Sequence, residues 1–133
     1  MRKGITFIEL IIVLALLSIL TSIATVNILG STDTARLRSD VQSTIIIQSA
    51  IQLYMMEFGS LPSNYNSSQI INRLNHRGLI PHITDSTQLQ NVTWFYDATN
   101  NRIFLDLRYA GQHIIDRARN LSEQERRHVK MVE

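Results

Sequence analysis

Met1-Arg2-Lys3-Gly4-Ile5-Thr6-Phe7-Ile8-Glu9-Leu10 opens the chain, and Ile11-Ile12-Val13-Leu14-Ala15-Leu16-Leu17-Ser18-Ile19-Leu20 follows directly. The apolar run then continues through Thr21-Ser22-Ile23-Ala24-Thr25-Val26-Asn27-Ile28-Leu29. Between Gly4 and Thr32 the only charged side chain is Glu9. A helix needs roughly 20 apolar residues to cross a bilayer, and Leu10 to Leu29 supplies them. Arg2 and Lys3 precede the run and nothing basic follows before Arg36, so the positive-inside tendency puts the N-terminus in the cytoplasm and the rest of the chain outside.

Three readings compete for this segment. An ordinary secretory signal would be cut after its apolar core, with Ser22-Ile23-Ala24 as a loose small-x-small site. A plain signal anchor would keep the whole segment. Neither explains Glu9. A carboxylate near the start of a spanning helix is costly unless it is paired or lies at the interface. By position alone, Glu9 is either an interfacial residue favoured by the helix dipole or one half of a buried ion pair.

The surrounding residues decide between them. Gly4-Ile5-Thr6-Phe7-Ile8-Glu9 resembles the processing site of type IV prepilins and type II secretion pseudopilins. The resemblance covers about 25 residues, with weaker similarity to roughly Pro62. It implies a leader of residues 1–4, cut after Gly4 by a prepilin peptidase, and Ile5 as the N-methylated first residue of the mature chain. It also implies that Glu9 pairs with the terminal ammonium of a neighbouring subunit. A cut before the apolar run leaves the helix on the mature protein, free to pack in a filament core. Losing one partner of such a desolvated pair typically costs about 3–5 kcal/mol. Two positions depart from the family pattern. The mature first residue is commonly Phe and here is Ile5, and a frequent mid-helix Pro is replaced by Val26. Without that Pro, only Asn27 and Gly30 could weaken the helix locally.

Beyond Gly30 the apolar residues become periodic. Ala35, Leu37, Val41 and Ile45 form a sparse stripe, and Ile47, Ala50, Ile51, Tyr54 and Phe58 form a core-facing one. Gly59 suits a C-cap, with Pro62 shortly after. The pattern predicts one helix from about Ile5 to Phe58, roughly 80 Å long at 1.5 Å per residue. Ser67 or Ser68 would cap a short helix carrying Ile70, Ile71 and Leu74 and ending at Gly78. Thr93–Tyr96 and Ile103–Leu107, separated by Asp97-Ala98-Thr99-Asn100-Asn101-Arg102, read as a hairpin that buries Trp94 or Phe95 against Tyr54 or Ile51. Arg108 to His113 would add a turn or strand. Ser122-Glu123-Gln124-Glu125 has capping-box form and would start a C-terminal helix running to Lys130.

The expected fold is therefore α+β. A long N-terminal α-helix, its first half transmembrane, packs by its second half against a small antiparallel β-sheet head. The parts are the leader (1–4), a membrane and filament-core helix (5–29), its continuation (30–59) and a globular head (60–133).

Other chemistry is sparse. With no cysteine there is no disulfide and no thiolate metal site. His76, His82, His113 and His128 are scattered and read as solvent-facing, and Asp97, Asp106 and Asp116 do not make a calcium loop. No nucleophile elbow or phosphate loop is present. The expectation is no enzyme, no cofactor and no metal. A net charge of +2 predicts no general affinity for nucleic acid. The basic stretch Arg117 to Lys130 could touch DNA, or be a solvated helix end whose charge Glu123, Glu125 and Glu133 offset. The resemblance implies other pilin or pseudopilin subunits, the prepilin peptidase, an assembly platform protein and its ATPase, and the bacterial inner membrane as partners. It leaves secretion, DNA uptake, adhesion and motility open. The competing reading is a single-span anchored extracytoplasmic binding domain that never polymerises.

Overall fold

The computed structural model describes residues 6–81 and 86–131, with the side chains of 23–29 set aside. The expected leader, Ile5, His82 and Glu133 lie outside the described residues. Helix α1 runs Phe7–Phe58, continuous through Asn27 and Gly30. Contacts divide the chain into two units, Met1–Asp33 and Thr34–Glu133.

In the first unit the helix is apolar on every side. From Phe7 to Leu20 the large hydrophobic side chains are all exposed, the least so being Ile11 at 48% and the most Phe7 at 79%. Its polar side chains turn back on the helix. Ser18 donates to the Leu14 carbonyl at 2.8 Å and Thr21 to the Leu17 carbonyl at 2.6 Å. Such back-bonding removes the hydroxyls' demand for water. Among the described residues no helix is long and apolar enough to cross a membrane. The expected span, Leu10 to Leu29, extends into the residues whose side chains are not described.

The second unit is a two-layer α+β head. Of the stripe expected on α1, Leu37, Val41, Ile47, Ala50, Ile51 and Tyr54 are buried. Ala35 is exposed, Ile45 only half-buried and Phe58 42% exposed. Two polar residues take the vacant core positions, Asp40 and Thr44. Gly59, at φ +85°, ends α1 and donates to the Met55 carbonyl at 3.1 Å, a left-handed cap that glycine adopts without penalty. Helix α2, Ser67–His76, buries Ile70, Ile71 and Leu74 as expected. Its cap is Asn66 rather than Ser67 or Ser68. Asn66 Oδ1 accepts from Gln69 N at 2.8 Å, and Gln69 Oε1 accepts from Asn66 N at 3.0 Å, a reciprocal pair that neither serine offers.

Strands β1, Thr93–Asp97, and β2, Arg102–Asp106, form the expected antiparallel hairpin, with Trp94 opposite Leu105 and Phe95 opposite Phe104. Its turn is held by Asp97, which accepts from Thr99 N and Asn100 Nδ2. Trp94 is buried and Phe95 lies on the other face. The Trp94 indole donates to Thr44 Oγ1 at 3.1 Å, about two turns before Ile51 and nearly three before Tyr54 on α1.

The all-antiparallel sheet is corrected by a third strand. β3, Val129–Lys130, pairs with β2 in parallel, Leu105 beside Val129 and Asp106 beside Lys130. Parallel neighbours require a crossover of a dozen or more residues. Residues 107–128 supply it: a turn after Leu107, helix α3 (Gln112–Arg119) and helix α4 (Glu123–Arg126). Ser122 caps α4 in the anticipated capping box, but the helix stops after one turn instead of reaching Lys130.

Candidate assembly site

The local geometry of Glu9 follows from where α1 begins. Thr6 is the last non-helical residue and Glu9 lies three positions later. Four backbone N–H groups are orphaned at a helix start, and a Glu at this offset can reach back to one of them. Glu9 does so. Its Oε2 accepts from Thr6 N at 2.9 Å and from Thr6 Oγ1 at 2.9 Å. The Thr6 carbonyl accepts from Leu10 N at 3.2 Å, closing the first turn. Both bonds converge on Oε2, so Oε1 remains outside them. The arrangement fixes a carboxylate at the mouth of an apolar helix, held by the amide and the hydroxyl of Thr6. Thr6 is the neighbour that the reading of Glu9 alone missed. The signal was present, since Thr6-Phe7-Ile8-Glu9 has the Ser/Thr-x-x-Glu spacing of a capping box. Gly4 and Ile5 lie outside the described residues.

The other candidates are dispersed. His76 and His113 are exposed. His128 is not solvent-facing as expected. It is half-buried where α4 meets β3, and its Nδ1 is buried without a hydrogen-bond partner. Burial, and then the charge of Arg102, push its imidazole below the ordinary range. Asp97 serves the hairpin turn, and Asp116 meets Arg119 at 3.2 Å on the surface. Asp106 is buried and takes both Nε and Nη2 of Arg108, the shortest contact 2.6 Å. That guanidinium holds the Asp106 carboxyl below its usual range, against the opposing effect of burial. Asp40 is buried on α1 and receives Gln88 N at 2.9 Å and Leu89 N at 3.2 Å, binding the 86–92 loop to the helix. Burial pushes its carboxyl upward and the two amides pull it back. Among the described residues no group of three His, Cys, Asp or Glu could hold a metal ion. The basic stretch Arg117 to Lys130 is not one helix face. Its cations are spread over α3, α4 and β3, and Arg117 donates to Thr34 Oγ1 at 2.7 Å.

Residues 1–25 match the family model described as the prokaryotic N-terminal methylation motif. The chain's N-terminal segment carries a type IV pilin-like motif. That match supports the type IV pilin and pseudopilin family, a structural family and not a class of enzyme. No curated protein and no solved structure matches the chain. The motif also suggests assembly with other pilin subunits and a membrane-anchored origin.

Proposed function

We propose that this type IV pilin-like chain is a filament subunit, pilin or pseudopilin, that polymerises by packing its N-terminal helix. In this reading the leader, residues 1–4, is removed after Gly4 and Ile5 is methylated. Residues 5–29 hold the chain in the inner membrane as a single span, N-terminus inside, until extraction. Residues 30–59 carry the same helix into the head, and residues 60–133 complete the head outside. A prepilin peptidase, a platform protein and an ATPase act on it.

The observation that carries the proposal is the lone carboxylate at the start of a helix whose large side chains from Phe7 to Leu20 are apolar and exposed. A helix hydrophobic on every side requires lipid or other helices around it. Once it lies among other helices, the Glu9 charge must find a cation or carry the cost of burial alone. The ammonium released at Ile5 of another copy is the cation that processing would create. Thr6 holds Glu9 toward the helix end where that ammonium would arrive, and both of its bonds fall on Oε2.

Intact mass of the membrane-extracted protein tests the reading. Loss of Met1 to Gly4 with gain of one methyl group is the expected result. A full-length mass, or a cut beyond Ala24, would instead favour the anchored domain that never polymerises. Glu9→Ala is expected to leave the protein membrane-inserted and abolish filaments. Wild-type assembly by this variant would refute the ion pair.

A further inference from the structure

The head has two outward faces that its own core does not use. On the sheet, Trp94, Tyr96, Ile103, Leu105 and Val129 turn inward toward α1, and alternation sends Phe95, Arg102, Phe104 and Lys130 outward. Phe95 and Phe104 are a cross-strand pair. Cations lie over the rings: Lys130 Nζ is 4.0 Å from the Phe95 centroid, the Arg102 guanidinium 5.1 Å from Phe104, and Arg108 5.8 Å from Phe95 and 5.9 Å from Tyr109. Tyr109 is 75% exposed beside them. The carboxylates of this face are already engaged, Asp106 by Arg108 and Asp97 by the hairpin turn. What remains outward is aromatic and cationic.

The opposite side of the head is the outer face of α1. Leu37, Thr44, Ile47 and Ile51 face the core, so a 100° step per residue places Ile46, Leu53, Met56 and Glu57 on the far side. All are exposed, Met56 at 86% and Leu53 at 49%. From Val41 to Met56 there is no charged side chain, and Glu57 is the first. The last turn of α1 carries no basic residue, so the negative end of the helix dipole adds to Glu57. Gln42, Ser49 and Gln52 are also exposed on α1, so the face is mixed until its end, where Leu53 and Met56 lie beside the anionic Glu57.

We propose that these two faces bind each other between copies: the outer face of α1, around Leu53, Met56 and Glu57, seats on the Phe95–Phe104–Tyr109 face of the next head. Apolar side chains meet aromatic rings, and Glu57 meets Arg102 or Lys130. Because the faces lie on opposite sides of a two-layer head, the contact is heterologous and leaves one of each free at the ends. Repetition then builds an open array rather than a closed pair. The inference rests on the filament reading and names a second contact for it, separate from Glu9.

The absence of cysteine makes the test direct. In the full chain in its native membrane, Met56→Cys and Tyr109→Cys are introduced singly and together, both at exposed positions where folding is little affected. A short thiol-reactive cross-linker is expected to give a ladder of multimers from the double variant, and monomer from each single one. Lys130→Glu should lower the cross-linked yield by about two- to fivefold, the scale of an exposed ion pair, and Glu57→Lys in the same chain should recover it. Cross-linked dimers from either single variant would mean self-complementary pairing and overturn the inference. So would polymer that depends on Glu9 but gives no Met56–Tyr109 product, an outcome that leaves the filament reading standing. Retention of oligothymidine by the purified chain, lost in Lys130→Glu and without any ladder, would assign the sheet face to single-stranded nucleic acid and refute the proposal. Absence of polymer with the leader still attached would overturn the filament reading, and the inference with it.

Discussion

Helix α1 shows two solutions to one problem within a single element. Between Phe7 and Leu20 every large side chain is apolar and exposed, while between Leu37 and Tyr54 apolar residues on one face are almost wholly buried and those on the other are few. The later stretch is covered by its own chain: the sheet, α2 and the loops close over Leu37, Val41, Ile47 and Ile51. Among the described residues nothing covers the earlier stretch. Patterning separates them. A helix with an apolar stripe is built for its own head, and one apolar all round is built for lipid or for other helices.

Substitutions should break this contrast in a graded way. Ile51→Ala removes a side chain with no exposed surface and is expected to cost about 3–4 kcal/mol of head stability. Leu14→Ala, in the exposed stretch, should leave head stability unchanged. Thermal melts of the two variants in the same detergent check both, and equal losses would erase the distinction. Asp40→Ala strips the Gln88 and Leu89 amides of their acceptor and should cost about 2 kcal/mol, read in the same melts. Asn66→Ala breaks the α2 capping box for about 1 kcal/mol.

The smallest effect is a pH dependence confined to the head. Folding lowers the His128 pKa from an ordinary value of 6.5, so the unfolded chain takes up the proton first as pH falls. The stability associated with a neutral His128 is thus fully present above 6.5 and lost as pH falls below it. Chemical denaturation at pH 7.5 and pH 5.5 should show this loss in the wild type and less of it in His128→Gln. An identical slope in both would remove His128 as its source.

The sequence made some of this legible and hid the rest for physical reasons. Long-range periodicity marks α1, and branched and aromatic runs around an Asp-Ala-Thr-Asn-Asn turn mark the hairpin within a residue at each strand end. α3 escaped because it buries only Ile114 and Ala118, too little to print a stripe on eight mostly polar residues. β3 escaped because two residues carry no alternation, and its parallel partner is set by a crossover rather than by a turn. Asp40 and Thr44 could not be read as core, since their burial depends on amide and indole donors from remote loops and strands. At the N-terminus, the isolation of Glu9 in an uncharged run singled it out, whereas the bond from Thr6 was written only in the Thr6-Phe7-Ile8-Glu9 spacing, which the charge pattern does not mark.

One contact gives the molecule a built-in optical gauge. The chain has a single tryptophan, and its indole is fastened to Thr44 at the seam between helix and sheet. Its emission therefore reports whether that seam is shut. Prying the sheet from α1 would expose the ring and shift the light it emits to longer wavelength, whereas changes confined to the apolar end of the helix would leave the colour as it was.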